Sequence, residues 1–358
     1  MNQRKLQQAD DPHLKQFPGP PSWLRGRRIL VTGSAGGIGR RLVQALSEAG
    51  ANVVELDIAA AEPQDMPKPW RTARATIRQD IRSGGIRAVL AQYQPEVVMH
   101  LAAQAAVPAS VARPVHDADV NIHGSLLVAE AAAEAGAHLI FAATCAIYGR
   151  PERLPVSETS RLAPISPYGL SKAAAVEYLD WFAAERGLKA TTLILGNVYG
   201  AGNPNAVIDR FVADALNGTA IRMHGDGTAT RDFVHIDDVT AAFIAAASSP
   251  PVGRVNIGSG TETSIRTLRE LVADLVPRTS TRLSQIRPGD ILRMQLDPTR
   301  AAHTLGWSAQ TNLITGVAAL VGRYRAAATN GLWPSANVGV AHAAQPHVAV
   351  GAARPGRR

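Results

Sequence analysis

The sequence predicts an α/β protein: a doubly wound (Rossmann) parallel sheet covered by helices on both faces, with a smaller C-terminal α/β portion. Three observations carry this expectation. From Arg28 onward, short apolar runs alternate with amphipathic stretches of helical period. The first run leads directly into Thr32-Gly33-Ser34-Ala35-Gly36-Gly37-Ile38-Gly39, a glycine-rich turn that opens a helix. After Gly200 the alternation loosens, and Gly and Pro become frequent.

Taken in order, residues 28–32 (RILVT) read as a buried strand, 38–49 as a helix ended by Gly50, and 51–57 as a second buried strand. The pattern continues with a strand at 96–101 (EVVMHL), a helix near 120–135 and a strand at 138–144 (HLIFAAT). A helix at 167–186 and a strand at 190–195 follow. These strands are continuously apolar rather than alternating, so both faces of the sheet must be covered, which is the condition of a parallel sheet. The expected organisation is a sheet domain over 28–200 and a smaller portion over 201–330 interleaved with it. Segments 1–27 and 331–358 read as tails, because they lack any apolar period.

The chain has 358 residues, 46% hydrophobic and 18% charged, which excludes whole-chain disorder. The net charge of +8 sits mostly in the tails. Residues 1–28 contribute +4 and residues 331–358 contribute +3, leaving +1 for everything between. A near-neutral body offers no field for steering to nucleic acid. No stretch is long and apolar enough for a membrane span, and Arg4 and Lys5 are followed by polar residues and Pro rather than an apolar leader core. Cys145 is the single cysteine, which excludes an intramolecular disulfide and fits a reducing compartment. The expectation is a cytoplasmic protein with no membrane or nucleic-acid partner. The ten histidines form no HExxH arrangement, so no metal site is expected.

The glycine turn carries the first chemistry. Gly33 can make a tight turn, Gly36 can let the backbone approach a pyrophosphate, and Gly39 can let helix and strand pack closely. The helix N-terminus then faces the anion, with Gly37 and Ile38 in its first turn. Asp57 ends the second strand 18 residues after Gly39, where a carboxylate can hold both hydroxyls of an adenosine ribose. That carboxylate repels a 2′-phosphate, and Ile58 and Ala59 supply no cation. NAD is therefore expected over NADP.

The second signal is Ser166-Pro167-Tyr168-Gly169-Leu170-Ser171-Lys172. Residues four apart share a helix face, so Tyr168 and Lys172 can address one ligand. A phenol of pKa near 10 is a poor base at neutral pH, and a nearby ammonium and a nicotinamide cation would lower that value. Such a base beside a hydride acceptor is what carbinol oxidation needs.

The glycine turn, His100-Leu101-Ala102-Ala103, Thr144 four residues before Tyr148-Gly149, and Tyr168-x-x-x-Lys172 together resemble the extended short-chain dehydrogenase/reductase family. Later segments are similar to its UDP-glucose 4-epimerase branch and related nucleotide-sugar enzymes: GNVYG from Gly196, GDGTATRDFVHIDDV from Gly225, RPGD from Arg287, and Leu305-Gly306-Trp307. The resemblance spans residues 28–324 and implies NAD-dependent 4-epimerisation of a UDP-hexose by a homodimer. It makes Tyr168 the base, Thr144 a hydroxyl on the same substrate oxygen, and Lys172 the holder of the nicotinamide ribose. It sets Asp80 and Ile81 against the adenine, with Leu101, Ala102, Ala103 and Asn121 on the cofactor side. It gives Asn197 and Arg231 the diphosphate, Arg287 and Asp290 the nucleotide end, and Met294 a gate position beside the sugar. Dehydratases of the family carry Asp and Glu where this chain has Cys145 and Ala146, so elimination is disfavoured.

Two alternatives stay open at this stage: another NAD-dependent nucleotide-sugar oxidoreductase or dehydratase, and a non-catalytic NAD-binding sensor. Of the remaining polar residues, Asp237 and Asp238 are expected to cap a helix that opens at Asp238. Tyr148, Tyr199 and His100 are expected to pack around the site.

Overall fold

The computed structural model describes residues 22–59, 75–200, 206–285 and 290–329, and residues 1–21 and 331–358 of the expected tails lie outside them. Residues 22–27, also expected as tail, belong to the body, with a 3₁₀ turn at Ser22–Leu24 that buries Leu24 in the core. The chain enters through β1 (Arg28–Thr32), α1 (Gly37–Glu48), β2 (Asn52–Asp57) and β3 (Ala75–Arg78). It continues through α2 (Ile86–Tyr93), β4 (Val97–His100), α3 (Val107–Ala112) and α4 (Pro114–Ala118). A π turn (Asp119–Gly124) leads into α5 (Ser125–Glu134) and β5 (His138–Thr144), and a 3₁₀ turn (Cys145–Tyr148) follows. Next come α6 (Pro167–Arg186), β6 (Lys189–Leu195), β7 (Asn197–Tyr199) and α7 (Val207–Leu216). The remainder is β8 (Ile221–His224), β9 (Thr230–His235), α8 (Ile236–Ser248), β10 (Gly253–Ile257), β11 (Glu262–Ser264), α9 (Ile265–Leu275), β12 (Thr281–Ser284), α10 (Thr299–Leu305) and α11 (Leu313–Thr329).

Seven strands form one parallel sheet in the order β10-β6-β5-β4-β1-β2-β3. The strand order reverses between β1 and β4, so their carboxyl ends diverge and leave a crevice there. Two apolar clusters cover the sheet. One joins α2, α5 and α6 to Leu30, Val98 and Phe141; the other joins α1 and α8 to Ile29, Val31 and Met99. A third cluster lies among α7, α9 and α11, around Phe211, Leu268 and Val317. β10 and α8 come from beyond residue 200 yet belong to the sheet body, so the chain returns to the sheet after contributing β7, β8 and β9 to two smaller sheets.

Two sequence expectations are corrected. The helix expected near 120–135 becomes regular only at Ser125, because Asn121 turns its amide inward onto Gln104, Asp117 and Ser171 and the backbone widens into a π turn. The helix expected to open at Asp238 starts at Ile236, capped by His235, whose Nδ1 accepts from the Asp237 N–H. Asp238 is buried and instead accepts from the Gln310 and Thr311 N–H groups, tying the chain before α11 to α8.

Asp209 on α7 is also buried, accepting from the Tyr324 hydroxyl at 3.0 Å and the Gly200 N–H at 3.3 Å. Burial pushes its carboxyl up to about 6, so the folded protein holds this proton more tightly than the unfolded chain. This contribution is complete below the unfolded value and is lost as pH rises through 6. Asp209→Asn removes the charge and is expected to gain stability over the native protein between pH 4 and 6, levelling at up to about 3 kcal/mol. Urea unfolding across that range checks it.

Candidate active site

The glycine turn lies where the sheet order reverses. Gly33 has φ +73°, and a Cβ there would stand 2.6 Å from the Ala102 nitrogen. A Cβ on Gly39 would stand 2.1 Å from the Gly33 carbonyl oxygen. Both glycines are therefore required by the protein's own packing. Gly36 differs: it is exposed, has φ −71°, and a Cβ would meet only the Gly33 oxygen at 3.3 Å. Nothing in the fold demands glycine at 36, so the space above it is a cradle that a side chain would narrow. Gly37 and Ile38 begin α1 behind it, with unpaired N–H groups directed at that space.

Asp57 stands at the end of β2 and is half-buried. Its Oδ2 accepts from the Ala35 N–H at 3.0 Å and its Oδ1 from the Ala59 N–H at 2.9 Å. Each oxygen keeps a lone pair for a ribose hydroxyl. The sheet register also sets exposed Arg78 opposite Asp57, with its Nε donating to the Ile58 carbonyl. A linear reading for cations at 58 and 59 could not see this one, because strand pairing supplies it. Leu101, Ala102 and Ala103 run past Gly33, with the Leu101 N–H on the Thr32 carbonyl and the Ala102 N–H on the Thr32 hydroxyl. Asp80 and Ile81 follow β3: Ile81 is buried, and Asp80 grips Arg82 through both oxygens, which holds its carboxyl below the usual range. These groups fit NAD: an anion cradle, a helix N-terminus and a ribose-directed carboxylate along one edge.

Tyr168 and Lys172 occupy the first turns of α6. Ser166 caps this helix by accepting from the Gly169 N–H, and Pro167 takes the first position, where a missing N–H costs nothing. Thr144 ends β5, accepts from the Ala146 N–H and hydrogen-bonds Tyr168. The Lys172 Nζ sits 3.9 Å from the centre of the Phe141 ring, and its side chain is only 2% exposed. His100 completes the floor, bonded through Nδ1 to Thr32 and through Nε2 to Ser125. Burial and the Lys172 charge push it down to about 3, so it is neutral at working pH.

The sequence expectation placed two charges beside the phenol, the Lys172 ammonium and the nicotinamide cation; the protein alone supplies only the first. Burial pushes Tyr168 up to about 12, and the Thr144 hydroxyl is what opposes the rise. Lys172 is itself pushed down to about 7 by burial, with Asp117 acting against it. The protein alone thus presents a protonated phenol.

On the substrate side, Asn197 on β7 has a buried side-chain oxygen with no protein partner, which leaves it for a ligand. Arg231 on β9 donates through Nη1 to the Thr230 and Ile291 carbonyls. Asp290 and Cys145 both act on its charge, so Arg231 joins the 290 segment to the strand end that carries Thr144. Arg287 lies outside the described residues. Asn121 is fully buried, and both ends of its amide are taken up by Gln104, Asp117 and Ser171. It shapes the floor from within the protein. Met294 is wholly buried in the apolar cluster with Cys145, Tyr148 and Val156.

Sequence reasoning missed Asp117, Asp232 and Phe141. Asp232 holds the 259–260 turn and Leu296 through four hydrogen bonds, and Asp117 sits among Ser171, Gln104 and Asn121. Asp232 lies within the GDGTATRDFVHIDDV segment but was given no role there, and for Asp117 only the four-residue spacing to Asn121 hints at a shared face. Among the described residues, no group of three or more His, Cys, Asp or Glu side chains is placed to hold a metal ion, and no helix is long and apolar enough to cross a membrane.

Comparison with known proteins agrees with this geometry. The family model described as the NAD dependent epimerase/dehydratase family matches residues 29–258. The UDP-glucose 4-epimerase of Mycolicibacterium smegmatis is 36% identical over 308 residues, covering 83% of this chain and 98% of that protein. The crystal structure of Thermotoga maritima UDP-glucose 4-epimerase with UDP-glucose aligns with a TM-score of 0.79 at 35% identity, over 84% of this chain and 99% of that one. The Thermus thermophilus UDP-glucose 4-epimerase in complex with NAD aligns with a TM-score of 0.77, also at 35% identity and over the same shares. Matched by the family model over residues 29–258 and 36% identical to a UDP-glucose 4-epimerase over most of its length, this chain belongs to the NAD dependent epimerase/dehydratase family.

Proposed function

We propose that the protein is an NAD-dependent 4-epimerase of a UDP-hexose, with residues 28–200 holding the cofactor and residues 201–330 most of the nucleotide sugar. The observation that carries this reading is the convergence of Thr144, Tyr168 and Lys172 at the carboxyl edge of the sheet, beside a glycine turn whose Gly36 leaves an open cradle. Bound NAD supplies a hydride acceptor that can return what it takes, and a positive charge in its pyridinium ring. Gly36, Gly37 and Ile38 would hold the pyrophosphate, Asp57 the adenosine ribose, Asp80 and Ile81 the adenine end, and Lys172 the nicotinamide ribose.

Beside such a charge, Tyr168 falls from about 12 toward the working range. Its phenol oxygen then accepts the proton of the sugar 4-hydroxyl and later returns it, while Thr144 orients that oxygen. Asn197 and Arg231 hold the diphosphate, and Arg287 and Asp290 the nucleotide end, so the sugar ring alone is free to turn over. Cys145 supports epimerisation over dehydration, because burial pushes its thiol up to about 12 and it offers no acid or base at neutral pH. The test incubates the purified protein separately with UDP-glucose, UDP-galactose, UDP-N-acetylglucosamine and UDP-glucuronate. A new anomeric proton signal of the C4 epimer in at least one UDP-hexose is expected; none in any of the four would contradict the assignment.

A homodimer belongs to the same reading, as does a cytoplasmic location, which the lone buried thiol of Cys145 supports. Leu170, Tyr178 and Trp181 lie at helical spacing on the outer face of α6, exposed by 57%, 48% and 47%. Val111 and Val115 on the neighbouring α3 and α4 are 57% and 82% exposed. Two copies laying these faces together would cover these apolar side chains. Trp181→Asp combined with Val115→Asp is expected to convert a dimer into a monomer in sedimentation equilibrium; an unchanged mass would remove this face from consideration.

A further inference from the structure

Lys172 carries its charge in an enclosure that offers little to balance it. Beneath it are the Phe141 ring from β5 and neutral His100 from β4; on its own helix stands the protonated Tyr168. The carboxylate that acts on it is Asp117, from α4. Asp117 is 1% exposed, and among the described residues no Lys, Arg or His nitrogen lies within 4.0 Å of it. Three neutral donors converge on its oxygens instead: the Ser171 hydroxyl at 2.5 Å, Gln104 Nε2 at 2.7 Å and Asn121 Nδ2 at 3.2 Å. The two amide N–H groups can only donate, and the Ser171 hydroxyl, which also lies within reach of the Tyr168 carbonyl, supplies the third contact, a set that suits a carboxylate. Ser171 lies directly before Lys172 in α6, and Asn121 lies in the π turn, so one buried group ties together the three segments that shape the site floor.

We propose that Asp117 is the positioning residue of this site: a buried counter-charge that keeps the Lys172 ammonium protonated and holds the π turn against α6, without touching substrate or cofactor. The proposal rests on Lys172 serving the reaction as described above, but its test does not. Burying either charge without the other is unfavourable, so removing one partner shifts the proton equilibrium of the other. With Asp117 neutralised, the ammonium loses its stabilising charge and gives up its proton at lower pH.

The sequence has five lysines, so lysine labelled with ¹³C at the ε-carbon gives a resolvable titration, and Lys172→Met identifies the signal. In Asp117→Asn the Lys172 midpoint is expected to fall by about one pH unit or more. The high-pH limb of the kcat profile should fall with it, because activity that needs the ammonium is lost as pH rises through its pKa. A merely structural role would lower kcat evenly and leave both midpoints in place, and that result overturns the proposal. Ser171→Ala, which loses the shortest bond of the network but keeps the charge, should leave the lysine midpoint where it is. Should Asp117→Asn alone fail to fold, the double variant Asp117→Asn/Lys172→Met is expected to fold, since no unpaired charge remains buried; a double variant as unfolded as the single one overturns the idea. Because the lysine titration reads the pair directly, its outcome stands even if no UDP-hexose is turned over.

Discussion

Tyr168→Phe is expected to lower kcat by about 10²- to 10⁴-fold, the range for removing a positioned general acid–base group, while leaving NAD affinity nearly unchanged. The substitution deletes one oxygen whose partner in the protein is the Thr144 hydroxyl, and the ring keeps its place in the first turn of α6. Binding of the cofactor draws on other residues: the Gly36 cradle, Asp57 and Lys172. A loss of NAD binding equal to the loss of turnover would mean that the phenol holds the cofactor rather than the proton. Turnover at the native rate would remove Tyr168 from the reaction. Stopped-flow reduction of the bound cofactor, read beside equilibrium NAD titration, separates these outcomes.

The second large effect contrasts two glycines three residues apart. Gly39→Ala places a methyl 2.1 Å from the Gly33 carbonyl oxygen and 2.8 Å from the Ser34 Cα, both backbone atoms that cannot step aside. It is expected to lose roughly 1–3 kcal/mol of stability through forced displacement of α1 from β1. Gly36→Ala meets only the Gly33 oxygen at 3.3 Å, in a backbone conformation open to any residue, so its stability is expected to stay within about 0.5 kcal/mol of the native protein. Its methyl stands where a pyrophosphate oxygen would approach the backbone. Loss of one charge-assisted hydrogen bond there weakens NAD binding by about 10- to 100-fold. Urea unfolding and calorimetric NAD titration on both variants give the comparison. Native NAD affinity in Gly36→Ala would show that the phosphates bind elsewhere.

Legibility in the sequence follows the length scale of each interaction. The strands of the sheet were readable because burial on both faces leaves continuous apolar runs, as in HLIFAAT and RILVT. The glycine turn with Asp57, and the Tyr168 to Lys172 pair, were readable because their partners lie within one supersecondary unit or one helical turn. The π turn at Asp119–Gly124 was not, since it depends on Asn121 reaching Gln104, Asp117 and Ser171, the last of them fifty residues away. Arg78 escaped for the same reason, its position beside Asp57 being set by the pairing of β2 with β3. His235 took the capping role assigned to aspartates because Asp238 is drawn to the Gln310 and Thr311 N–H groups, a contact across more than seventy residues. The rise at Tyr168 in the protein alone was not legible either, because a sequence shows the neighbouring ammonium but not the burial.

The central claim is that hydride leaves C4 of the sugar and returns to the same carbon from a cofactor the protein keeps. Purified enzyme incubated with the UDP-hexose it converts, deuterated at C4 and with no NAD added, tests it in one spectrum. The account predicts a C4 epimer that retains deuterium at C4. Product in which C4 carries protium from solvent, or no epimer from any UDP-hexose, would contradict it.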